Sequence, residues 1–181
     1  MFRIPYRRLP PERLVTDTPS SAGWFSKLVR LIAGTPAASE GEARSNVGES
    51  TARPYVTVRI RGPVAARRLK HALLDTGSQD TLFPAELAER LGIVLGGEQQ
   101  AIRWRGQRFA VEFHVVELEI AEAGTVWRWR ARAGFTPAPL AYALIGQRGC
   151  LEFLDATFRG ADQVVELDTN RAFPGTAISV T

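Results

Sequence analysis

The stretch Leu73-Leu74-Asp75-Thr76-Gly77-Ser78 decides how this chain is read. Two leucines lead into an acid, a β-branched hydroxyl, a glycine and a serine. Apolar residues on the approach predict a buried strand, and Gly77 permits a tight turn that a side chain would obstruct. Asp75 then sits at the mouth of a core strand. Its charge is costly there unless a second acid or a water shares a proton with it. That arrangement turns an acid into a catalyst. A hydroxyl-rich turn capped by an aspartate is also common in proteins of every kind, so these residues alone leave both readings open.

Outward from the turn, the pattern is β. Tyr55 to Ile60 alternates, and Leu69 to Leu74 runs into Asp75. Pro84 to Leu91 reads as a helix, with proline near its start, acids early and Gly92 at its end. Ile102 to Trp104 and Phe109 to Ile120 read as two strands around Arg105-Gly106-Gln107, a hairpin by its glycine and flanking alternation. Thr125 to Ala133 sets Trp127 and Trp129 against Arg128, Arg130 and Arg132, a strand with one buried and one wet face. Gln147 to Leu154 predicts a second short helix, and Thr157 to Leu167 a terminal hairpin.

Residues 1–52 differ from this. Trp24 to Ile32 mixes apolar and basic residues in a short helix-compatible stretch, which more readily docks on protein than on a membrane. Thr35 to Thr51, rich in Ala, Ser, Gly and Glu, reads as a flexible linker. The expected division is therefore an N-terminal segment, 1–52, and one domain, 53–181.

The segment HALLDTGSQDTLF, His71 to Phe83, resembles the active-site loop of retropepsin-like aspartic peptidases, the short single-domain kind seen in bacteria. Tyr142-Ala143-Leu144-Ile145-Gly146 is similar to the family's apolar-apolar-Gly strand, and Arg53 to Val58 resembles its first core strand. The likeness runs from about Arg53 to about Phe158. It implies a mainly β, closed retropepsin-like barrel with two short helices, and an aspartic endopeptidase needing neither metal nor organic cofactor.

Peptide hydrolysis of this type needs two carboxyls sharing one proton and holding a water. Two-lobed relatives carry two Asp-Thr-Gly turns; this chain carries one. The pair must then come from two copies on a two-fold axis, so the implied partners are a second copy and a protein or peptide substrate. By resemblance Asp75 is catalytic, Thr76 locks the two turns across the axis and Gly77 lets backbone approach the substrate. Ser78 is placed to donate a hydrogen bond to Asp75, which favours its ionised form and an acidic optimum. The hairpin at Arg105 and Gly106 falls where the family has its flap, with Arg103 and Trp104 toward substrate, although Trp104 fits packing equally well. Gln79, Asp80, Tyr142 and Leu144 line the cleft, and Gly146 is the structural glycine; Leu144 fits the core as well.

The chain departs from the retroviral pattern at the dimer interface. Arg53 aligns with an arginine that reaches across to an acid, but Gln79 stands in the acid's place. Gln147 likewise replaces the arginine expected after Gly146, leaving Asp80 as a substitute acid. This opens a competing reading, a catalytically silent binding or dimerisation module on the same fold. A third idea is self-processing within Thr35 to Thr51.

Other chemistries fare poorly. The formal charge is +4, with arginines scattered and only Lys27 and Lys70 as lysines, so no nucleic acid is expected. Cys150 is the sole cysteine, which excludes an intrachain disulfide and fits a reducing, cytoplasmic setting. His71 and His114 lack the spacing of a metal site, and no phosphate-cradling loop or serine elbow occurs.

Overall fold

The computed structural model describes residues 1–9, 52–122 and 124–179. The alternating stretch forms β2 (Tyr55–Arg61), with Val56, Val58 and Ile60 buried and Arg59 and Arg61 outward. β3 (Ala66–Leu74) lies antiparallel beside it and slips register between Val56 and Val58, a bulge that bends the pair. Ala72 and Leu74 are buried, so β3 carries the chain into the core just before Asp75.

β4 (Leu82–Pro84) leads directly into helix α1 (Ala85–Leu91), which buries Ala85, Leu87, Ala88 and Leu91. Gly92 ends it in the left-handed conformation, φ 74°, with its N–H on the Ala88 and Glu89 carbonyls. β5 (Gln99–Trp104) and β6 (Gln107–Glu122) form the hairpin, and β7 (Thr125–Thr136) runs antiparallel to β6 from Glu122 back to Glu112. β8 (Leu144–Ile145) pairs in parallel with the end of β3, Leu73 to Leu144 and Leu74 to Ile145.

These strands, with β11 (Thr176–Ser179), form an eight-stranded sheet in the order β11-β7-β4-β8-β3-β2-β6-β5. β6 also pairs with β7, so the neighbours run from β7 through β4, β8, β3, β2 and β6 back to β7. A second sheet has β10 (Val164–Thr169) between β1 (Phe2–Pro5) and β9 (Leu154–Arg159). Phe2 stacks on Trp127 at 3.8 Å between ring centroids, and Val165 and Leu167 are fully buried, which ties this sheet to the core. The fold is mainly β.

Only α1 among the described residues is an α-helix. The helix expected over Gln147 to Leu154 is instead a turn followed by one 3-10 turn, Leu151–Phe153. The N–H groups of Gln147 and Arg148 are bound to the Ser78 and Gln79 carbonyls, and Gly149 adopts φ 85° against the Arg132 carbonyl. The left-handed Gly149, pressed against the Arg132 carbonyl, is what breaks the helical run here. The N-terminal boundary also moves: Met1–Arg8 forms one unit with Ala52–Thr181, since β1 pairs with β10 and Arg7 with Arg53. The stretch Trp24 to Ile32 and the linker Thr35 to Thr51 lie outside the described residues. Among the described residues no helix is long and apolar enough to cross a membrane.

Candidate active site

Asp75 leaves the end of β3 half-buried, with its backbone N–H donating to the Ile145 carbonyl at 3.0 Å. The Gly77 N–H donates to Asp75 Oδ1 at 3.0 Å, and the Ser78 N–H to the Asp75 carbonyl at 3.1 Å. The turn therefore holds its own carboxylate by a local backbone bond. A Cβ on Gly77 would stand 3.3 Å from Asp75 Oδ1, so glycine gives the carboxylate its room. Thr76 and Gly77 are exposed at the turn's tip.

The Leu144-Ile145-Gly146 strand explains why that turn keeps its shape. A Cβ on Gly146 would meet the Asp80 carbonyl oxygen at 2.3 Å and the Ser78 oxygen at 2.8 Å. The close approach lets Gln147 and Arg148 donate to the Ser78 and Gln79 carbonyls at 3.0 and 2.9 Å, and Thr81 to the Arg148 carbonyl at 3.2 Å. Thr81, fully buried, accepts the Gly146 N–H on Oγ1 at 3.2 Å. Sequence reasoning missed Thr81; a threonine beside apolar Leu82 and Phe83 carried no signal of its partner sixty-five positions away.

Ser78 departs from expectation. Its hydroxyl donates to the Asp80 carbonyl at 2.7 Å rather than to Asp75, so it braces the turn. Asp80 keeps a carboxylate that is only 15% exposed, beside Arg132 at 3.5 Å and Arg148 at 3.9 Å. The missing arginine after Gly146 is thus replaced by Arg148, one position later, and by Arg132 from β7. Both act within the chain, and neither stood out in the sequence. Arg132 also lies 3.5 Å above the Phe113 ring. Gln79 is exposed.

The hairpin packs on an apolar cluster that includes Leu73, two residues before Asp75. Leu82, Val111 and Leu144 form a small apolar cluster, with Leu73, Ile102, Trp104, Phe113 and Leu140 packed on it. Leu144 is thus a buried member of a floor shared with the hairpin's underside. Trp104 packs on that floor with its Nε1 buried and, among the described residues, without an acceptor. Arg103 points the other way, exposed and opposite Arg108, so the two expected contact residues fall on opposite faces. Tyr142 packs edge-on against Tyr55 at 4.8 Å, and Tyr55 in turn meets His71 at 6.0 Å. Burial, and then the Tyr142 hydroxyl beside it, push the Tyr55 phenol far above its usual value.

At the hairpin's base the Glu112 carboxylate accepts from the Gly96 and Gly97 N–H groups at 2.8 and 3.0 Å and lies 2.6 Å from His114 Nε2. Burial opposes its charge, but those partners outweigh burial and hold its carboxyl below the ordinary value. Cys150 is fully buried, and burial raises its thiol far out of reactive range.

A single acid-bearing turn, wedged against a glycine strand and joined to a hairpin through a shared apolar cluster, fits the frame of an aspartic peptidase. The aspartyl protease family model matches residues 56–148, and the chain belongs to that family. No curated protein and no solved structure matches it.

Proposed function

We propose that the chain is an aspartic endopeptidase active as a homodimer, in which Asp75 of each copy contributes one carboxyl. The ionised carboxyl takes a proton from a bound water while the protonated one hydrogen-bonds the scissile carbonyl. Water oxygen bonds to the carbonyl carbon, the C–N bond then breaks, and the departing nitrogen takes a proton from the dyad. Two carboxyls so close titrate as a unit. The observation that carries this reading is the turn itself, held rigid on Gly146 with Asp75 at its mouth and Thr76 exposed at its tip. Thr76 is suited to lock against its counterpart, and Trp104, Gln79 and Tyr142 to flank the peptide. The ring of strand pairings supports a closed barrel of the retropepsin type.

The second sheet supports the dimer. Among the described residues β9 has a partner only on its β10 side, and Phe158 on it is 41% exposed, so that edge suits pairing with a second copy. One observation favours the silent module instead: the Asp80 carboxylate is taken by Arg132 and Arg148 of its own chain, leaving no charged latch there for a partner. Incubating wild type and Asp75→Asn with a peptide library at acidic and neutral pH separates the readings. Cleavage that disappears in the variant supports the peptidase. No cleavage by either, with a strictly monomeric mass at high concentration, supports the module.

A further inference from the structure

The tip of the β5–β6 hairpin violates two local rules at once. Arg105 occupies φ 49° and Gly106 φ 81° between the closing pair Trp104 and Gln107. Such a two-residue turn favours Asn-Gly or Gly-Gly, and a long non-glycine side chain enters the left-handed region unwillingly. One step down the ladder, Arg103 stands directly opposite Arg108. Like charges in that position destabilise a strand pair. The stretch from Gln99 to Val111 contains no acid at all. Among the described residues none of the three arginines has an acid within ion-pair distance. All three are exposed.

A hairpin that gives up stability to gather three unneutralised cations is a place where function overrides local preference. Its two faces are also chemically opposite. Ile102 and Trp104 look onto the apolar floor, while Arg103 and Arg108 look away from it and Arg105 tops the turn. We propose that this two-faced hairpin selects substrates in which an apolar segment is flanked by aspartates or glutamates. The apolar residues enter beneath the hairpin and the acids meet the arginines where the peptide lies outside the cleft. The inference rests on the peptidase reading and adds the substrate's chemical class. An acidic peptide fits better than a nucleic acid, because the hairpin tip presents no exposed aromatic for a base to stack on and, on the peptidase reading, the cations border the peptide's path.

The test uses two peptides with one apolar core, flanked by glutamates in one and glutamines in the other. The full chain is expected to show a kcat/KM ratio of about tenfold in favour of the glutamate peptide at low salt, falling toward about one by molar salt. In the triple variant R103Q/R105Q/R108Q the ratio falls to about one whatever the absolute rates, and the protein melts no lower than wild type because the Arg103–Arg108 repulsion is gone. A ratio near one in wild type, or a ratio that survives in the triple variant, overturns the proposal. Should wild type cleave neither peptide, the peptidase reading is decided by the peptide library and the solution mass, and the proposal is read from equilibrium binding of the same two labelled peptides. Glutamate-flanked peptide binding about tenfold tighter, and only with the arginines present, upholds it. Equal binding, or tighter binding of a single-stranded oligouridylate than of the glutamate peptide, overturns it.

Discussion

Gly146→Ala is the sharpest structural perturbation this site offers. The added Cβ would lie 2.3 Å from the Asp80 carbonyl oxygen, 2.6 Å from its carbon and 2.8 Å from the Ser78 oxygen. All three atoms are backbone, so no side chain can swing aside. Ordinary van der Waals separation requires the 78–80 segment to retreat by roughly 1 Å. That movement strains three backbone bonds, Gln147 to Ser78, Arg148 to Gln79 and Thr81 to Arg148, now between 2.9 and 3.2 Å. At about 1 kcal/mol net for each bond, plus about 1–2 kcal/mol for overpacking, the loss is about 4–5 kcal/mol. Against a total stability of about 5–15 kcal/mol the variant still folds, but weakly. The urea midpoint followed by far-UV circular dichroism should fall sharply at unchanged slope. Cleavage measured where the variant is fully folded should drop about a hundredfold, because Asp75 moves with its turn. Gly106→Ala is the control: its Cβ meets nothing within 4 Å, and only φ 81° counts against it, about 1 kcal/mol. A Gly146→Ala protein as stable and as active as wild type would refute the reasoning.

Asp75→Asn should leave the urea midpoint within about 0.5 kcal/mol of wild type, since the side chain is half-exposed, while cleavage falls at least about a thousandfold; a variant that still cleaves removes Asp75 from the chemistry. Glu112 has a lowered folded pKa, so its contribution to stability is complete above the unfolded value and is lost as pH falls through the folded one. The stability gap between wild type and Glu112→Gln, read from urea titrations, should therefore close as pH drops from 6 toward about 3; a gap independent of pH would show that the carboxylate's hydrogen bonds carry no net charge preference. Trp104→Phe keeps an aromatic on the apolar floor and deletes a buried donor that has no acceptor among the described residues, an orphan that costs about 1–3 kcal/mol. Its melting temperature should match wild type or exceed it despite the smaller ring, and a clear fall would mean that the indole N–H is satisfied in solution.

The strands were legible because their burial alternates: Val56, Val58 and Ile60 against Arg59 and Arg61, Trp127 and Trp129 against Arg128 and Arg130. The helix at Ala85–Leu91 was legible from Pro84 and Gly92, each of which acts locally. The acid turn and its glycine strand were legible as motifs. What escaped depends on partners far along the chain. The Ser78 hydroxyl donates to the Asp80 backbone carbonyl, a choice that only the packed turn decides. Arg132 and Arg148 reach Asp80 from distant positions, and no pattern in either segment announces it. The stretch Gln147 to Leu154 has helical composition, but Gly149 is held left-handed at φ 85° against the distant Arg132 carbonyl. β1 is four residues long, too short for alternation to register, and owes its existence to the edge of β10 and to the stacking of Phe2 on Trp127.

Mixing copies tests most directly whether two Asp75 carboxyls make one site. Wild-type and Asp75→Asn chains are unfolded together, refolded at equal amounts and assayed against the same total of wild type diluted with buffer. Random pairing leaves about one quarter of the dimers with both acids, so activity per total chain should fall to about a quarter of pure wild type. Activity that stays at one half, in proportion to the wild-type chains present, would mean that each copy works alone and would contradict the account.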